Sequence, residues 1–68
     1  MSLSARNRLS GTVTAVEYDD IMAEVEIELP GGEAITATIT TASCERLGLS
    51  EGDEVDAVVK ASSVMIDA

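Results

Sequence analysis

Residues 21–29 alternate without a break. Ile21, Ala23, Val25, Ile27 and Leu29 fall on one side, Met22, Glu24, Glu26 and Glu28 on the other. A period of two sends successive side chains to opposite faces, so this run reads as a half-buried antiparallel strand with a charged outer face. The same period appears on both sides of it. Upstream, Leu9, Gly11, Val13 and Ala15 share a face opposite Ser10, Thr12 and Thr14; downstream, Ile35, Ala37 and Ile39 point inward and Thr36, Thr38 and Thr40 outward. Tyr18-Asp19-Asp20 reads as the turn between the first two strands. Leu29-Pro30-Gly31-Gly32 fits a type II turn between the second and third, with Pro in second place and Gly in third.

The period then changes. Thr41 to Gly48 reads as one short helix, with Thr40 or Thr41 capping its start and Gly48 placed to end it. Cys44 and Leu47, three apart, share its apolar face. Ser50-Glu51-Gly52-Asp53 is a polar turn, Val55–Lys60 a fourth strand and Val64–Ile66 a short fifth. Three strands, a helix and two strands give an all-β chain with an OB-fold-like, five-stranded Greek-key barrel, the helix lying between strands 3 and 4. One domain over residues 1–68 accounts for the whole sequence.

Such a chain has little with which to thicken its core. Phe and Trp are absent, and Tyr18 is the single aromatic. A domain of this size buries only about 60% of its unfolded surface. One cysteine closes no intrachain disulfide, and without histidine a structural zinc site lacks ligands. Hydrophobic residues still make up 46% of the chain, too many for disorder. Oligomerisation is the remaining way to stabilise a core this small.

Charge narrows the partners. Thirteen acids against four bases give −9. Nucleic-acid binding requires a basic stripe, and single-stranded binders add aromatics for stacking; neither is present. Anionic membranes are disfavoured for the same reason. No apolar run reaches the ~18 residues of a membrane span, and Met1 to Ser4 shows no apolar signal region. With a free thiol, this leads us to expect a cytoplasmic protein.

Most polar clusters have an ordinary reading. Glu24, Glu26 and Glu28 form a solvated strand face. Asp19-Asp20 lacks the spacing of a calcium loop. Cys44 has no histidine to activate it and reads as a buried structural thiol. Catalysis finds no acid–base or nucleophile pair, so no enzyme is expected. What remains is the placement of the four bases: Arg6, Arg8, Arg46 and Lys60. Ser4-Ala5-Arg6-Asn7 offers a hydroxyl, a guanidinium and an amide; Lys60-Ala61-Ser62-Ser63 offers an ammonium and two hydroxyls. Both flank strands, and both suit a small oxyanion, which takes positive charge together with hydroxyl and backbone N–H donors.

With these segments in view, the sequence resembles the molbindins, small molybdate-binding proteins made of one transport-associated OB (TOBE or Mop) domain. The similarity is carried by Ser4-Ala-Arg-Asn7, Ile39-Thr40, Leu47-Gly-Leu-Ser-Glu-Gly-Asp53, Val59-Lys-Ala61 and Val64-Met-Ile66, in order from Ser4 to Ile66. The resemblance implies a homo-hexamer, a trimer of dimers, that stores and buffers molybdate or tungstate in the cytoplasm, with anions at subunit interfaces and no organic cofactor. It implies a site made of Ser4, the Ala5 N–H, Arg6, Asn7, Thr40, Lys60, the Ala61 N–H and Ser62. Asn7 either joins the anion or holds the start of the first strand. The chain departs from the family in having no lysine on its first two strands. The alternative is an OB-type oligomerisation or interaction module that binds no oxyanion.

Overall fold

The computed structural model describes residues 6–68. Four strands and two short helices follow one another: β1 (Asn7–Tyr18), β2 (Met22–Glu28), β3 (Ala34–Thr40), α1 (Thr41–Leu47), β4 (Glu54–Val59) and the 3₁₀ turn η1 (Ala61–Ser63). The strands form one curled antiparallel sheet in the order β3-β2-β1-β4. Its inner face is the face that alternation assigned. Val13, Val25 and Ile27 form the buried centre, with Ile35, Ala37, Ile39, Leu49, Val55 and Ala57 packed around them. Glu24, Glu26 and Glu28 stand exposed on the outside of β2.

Alternation fails at Ile21, expected inward but lying before β2 and 72% exposed, and again in the middle of β1. Val13 pairs with Ile27, but Ala15 pairs with Glu26, so Thr14 is an extra residue in a β-bulge. Past the bulge the inward phase shifts by one: Val16, opposite Val25, packs on the core, and Ala15 does not. The bulge also lets the β1 backbone serve a second neighbour. Val13 donates to the Asp53 carbonyl at 2.9 Å and accepts from the Gly52 amide at 2.8 Å, which ties the turn before β4 onto the sheet.

The turns are made by few residues. Gly32 donates to the Leu29 carbonyl at 2.9 Å, but the positive φ of 94° lies on Gly32 and not on Gly31. A type II turn requires it at Gly31, so the connection is instead the three-residue hairpin loop whose left-handed glycine follows the turn. At α1, the Ser43 amide donates to Thr40 Oγ1 at 3.1 Å, making Thr40 the N-cap, and Gly48 closes the helix at φ 64°, ψ 37°. Thr41 anchors the helix to the first hairpin, its hydroxyl donating to the Asp19 carbonyl at 2.8 Å. Cys44 is buried as expected, whereas Leu47 is 65% exposed and borders the mouth of the inner apolar cleft.

The fifth strand is not formed, so the sheet has four strands. After Lys60 the chain tightens into η1, where Ser63 donates to the Lys60 carbonyl at 2.8 Å. That turn carries the segment off the sheet, and Val64, Met65 and Ile66 are 53, 93 and 90% exposed. Among the described residues, no helix is long and apolar enough to cross a membrane.

Candidate functional site

The antiparallel register of β1 with β4 brings the two donor segments together. Asn7 lies opposite Val59, and the register continues through Arg8–Val58 to Thr12–Glu54. The pairing ends there: Arg6 immediately precedes β1 and Lys60 immediately follows β4, its backbone still extended at φ −64°, ψ 133°. Arg6 and Lys60 thus flank the last pair, Asn7–Val59, at one corner of the sheet, both exposed, with Ala61 and Ser62 following in η1. Two segments whose last paired residues, Asn7 and Val59, are 52 apart in sequence thus bring their donors to one corner.

Asn7 belongs to the same corner but has a structural task. Its side-chain amide donates to the Val59 carbonyl at 3.2 Å, holding the ends of β1 and β4 together. Ser4 and Ala5, the other two residues expected from the first segment, lie outside the described residues.

Thr40 is not part of this corner. It pairs with Met22, at the Tyr18 end of β1, whereas Arg6 adjoins the Asn7 end. The 12 residues of β1 separate the two positions, on the order of 35 Å along the strand at about 3.3 Å per residue. Thr40 has its own polar neighbourhood. Its hydroxyl bonds to Ser43 Oγ at 2.8 Å, and Arg46 donates to the same Ser43 oxygen at 3.2 Å. A second corner of two hydroxyls and a guanidinium therefore caps the far end of the sheet.

The four cations divide by partner. Among the described residues the sole ion pair is Arg8 with Asp56, N to O 2.9 Å. Asp56 also accepts from Ser10 Oγ at 3.0 Å. The Arg8 guanidinium first, then the Ser10 hydroxyl, hold the Asp56 carboxyl below the usual carboxylate range. Arg6 and Lys60 make no ion pair among the described residues. Sequence reasoning passed over the Arg8–Ser10–Asp56 cluster. Its signal was the spacing of Arg8 and Ser10 on one face, but Asp56 enters only once the β1–β4 register is known.

The remaining acids behave as solvated groups or turn formers. No group of three His, Cys, Asp or Glu among the described residues is arranged to hold a metal ion. Asp19 Oδ1 accepts from the backbone amides of Met22, 2.9 Å, and Ile21, 3.0 Å, and these two bonds lower its pKa. An apolar cleft of about 420 Å³ lies on the inner face between Val25, Ile39, Leu47 and Val55. It offers no cation, and it is distinct from the Arg6–Lys60 corner.

Comparison with known proteins decides the family. The TOBE domain model matches residues 3–66. The chain belongs to the TOBE domain family. Some of its relatives there are of its own length: it is 48% identical over 66 residues to molybdenum-pterin-binding protein 3 of Clostridium pasteurianum, covering 97% of each chain. It superimposes on MopII from Clostridium pasteurianum with a TM-score of 0.92 at 48% identity, over 98% of this chain and all of that one. A molybdate-binding protein from Sporomusa ovata aligns over the full length of both chains, with a TM-score of 0.94 and 34% identity. These are the molbindin-type members, and their OB-like fold is the curled sheet with one short helix described above.

Proposed function

We propose that the chain binds molybdate, or tungstate of the same size and charge, and stores and buffers it in the cytoplasm as a homo-hexamer with anions at subunit interfaces. The observation that carries this reading is the β1–β4 register, whose last pair, Asn7–Val59, leaves Arg6 and Lys60 as the next residue of each segment, with no carboxylate paired to either among the described residues. The molybdenum-binding names of full-length relatives at 48 and 34% identity support it.

The chemistry fits a tetrahedral dianion. Molybdate brings four acceptor oxygens and no proton near neutral pH, so its site consists of donors only. Arg6 and Lys60 supply charge, the Ser4 and Ser62 hydroxyls and the Ala5 and Ala61 amides supply neutral donors. Hydrogen bonds to charged groups contribute about 1.5–3 kcal/mol each. Asn7 acts by fixing the corner through Val59. Thr40 lies too far along the same chain to join, so its hydroxyl reaches an anion only from a second copy. A site split between copies links ligand to assembly. The metal arrives with its own oxygens, and the protein contributes no metal ligand and no organic cofactor.

Selectivity follows from size and protonation. Sulfate has the same charge but shorter bonds, so a rigid donor cage fitted to molybdate holds it less well. Phosphate near neutral pH carries a proton that finds no acceptor. The net charge of −9 repels any dianion at long range, but a Debye length of about 8–10 Å leaves local contacts in control at physiological salt. No histidine titrates, so affinity is the same at pH 6 and pH 9.

The direct test is calorimetry of molybdate binding to Lys60→Ala and Arg6→Ala. Each lowers affinity at least ~10-fold, the loss of one charge-assisted bond, while light scattering still reports the oligomer. Unchanged affinity in both variants removes this corner from the site.

A further inference from the structure

We propose that Asp56 sets the charge of the Arg6–Lys60 corner: it holds Arg8 as a neutral pair, so that two free cations rather than three face the bound dianion. This rests on the oxyanion reading above and adds a residue that specifies it.

Three of the chain's four cations lie at one end of the β1–β4 pair. Arg6, just before β1, and Arg8, on it, are two residues apart, about 6–7 Å along an extended backbone. Lys60 directly follows Val59, the partner of Asn7, with Val58 opposite Arg8 and Asp56 opposite Ser10. Left to itself, Arg8 would be the third cation of the cluster. Asp56 prevents this with both oxygens engaged: Oδ2 receives the Arg8 guanidinium at 2.9 Å and Oδ1 the Ser10 hydroxyl at 3.0 Å. Ser10 thus fixes the carboxylate in the position that turns Arg8 back along the strand, away from Lys60.

Stability does not explain the pair. The side chains are 59 and 39% exposed, and exposed ion pairs contribute little to folding. What the pair does change is the local field. It lies within a Debye length of the corner, close enough to act on a bound anion at low and physiological salt and too far to act in concentrated salt. Two net positive charges match a tetrahedral dianion; a third would tighten binding without regard to which dianion is held. Asp56 is therefore a positioning residue that moderates affinity.

The test compares wild type, Asp56→Asn, Arg8→Gln and the double variant by calorimetry with molybdate and with sulfate, at 50 mM and 1 M sodium chloride. Asp56→Asn frees Arg8 and tightens molybdate binding about three- to tenfold at 50 mM, as one charge at this distance gives in a solvent-like dielectric. Sulfate gains by the same factor, because charge and not size has changed. At 1 M the gain disappears. Arg8→Gln leaves the carboxylate facing the anion and weakens binding, and the double variant falls between the two singles. Circular dichroism checks that each variant is folded. Unchanged or weaker binding by Asp56→Asn at 50 mM overturns the proposal, as does a gain that persists at 1 M or is confined to molybdate. Those results leave the oxyanion site standing wherever wild type binds; absence of binding by wild type removes site and moderating role together.

Discussion

Asp19 shows how an exposed carboxylate can govern a turn. One oxygen, Oδ1, accepts from the amides of both Met22 and Ile21 and closes the link between β1 and β2. These bonds favour the charged form, so the folded pKa lies below the ordinary 3.8. A depressed folded pKa contributes stability that is present above the unfolded value and lost as pH falls through the folded one. Asp19→Ala therefore lowers the melting temperature at pH 7, and the gap to wild type narrows as pH falls below the ordinary 3.8; Asp19→Asn, which keeps an oxygen acceptor, falls between. A gap that persists undiminished at pH 2.5 contradicts this role. The sequence marks Tyr18-Asp19-Asp20 as a turn because aspartate accepts from nearby amides. It cannot say that Asp19 does the capping, since both aspartates have the same chemistry. The same limit hid Asp56. Arg8 and Ser10 are visible as neighbours on a face, but their partner lies 46 residues beyond Ser10 and is fixed only by strand register.

At the scale of elements, alternation predicts β2 and β3 in full and β1 up to Val13. The bulge at Thr14 cannot be read from a pattern of apolar and polar residues, because Ala15 and Val16 are both apolar and either phase satisfies the period. The hairpin glycine was misplaced by one residue for a related reason: Gly31 and Gly32 are adjacent and both permit positive φ. Gly11 has a sharper reason to be glycine. A Cβ there would stand 2.6 Å from Ile27 Cγ2 and 2.7 Å from the Glu28 carbonyl oxygen. The oxygen belongs to the backbone of the paired strand and cannot rotate away. Gly11→Ala forces β1 and β2 apart and costs about 1–3 kcal/mol, read from urea unfolding. A neutral or stabilising outcome would mean that the strand ends yield freely. The fifth strand is the other departure. Its residues have strand propensity, but η1 turns them off the sheet of their own chain.

For the molecule as a whole, the turn at η1 leaves a problem and suggests its answer. Val64, Met65 and Ile66 stand in solvent while the inner face keeps an apolar cleft between Val25, Ile39, Leu47 and Val55. A chain with so small a core gains by covering both against further copies of itself. Val64→Ser with Ile66→Ser is expected to dissociate the proposed hexamer into smaller species in light scattering and to lower thermal stability. A hexamer that persists in this variant excludes the segment from the interface. The candidate site is legible to the same degree as the fold. Arg6 and Lys60 are legible as bases flanking strands, but that β1 and β4 adjoin at those ends appears only in the sheet. Thr40 is legible as a hydroxyl at a helix start, but its remoteness from the corner appears only in the sheet. If the Arg6–Lys60 corner, completed by a second copy, selects large tetrahedral dianions, ligand binding to the folded assembly raises its melting temperature. Thermal melting with molybdate, tungstate, sulfate and phosphate at matched ionic strength reads this out. Molybdate and tungstate are expected to raise it well beyond sulfate or phosphate. Equal rises with all four, or none, would contradict that selectivity and leave an OB-type interaction module stabilised by salt.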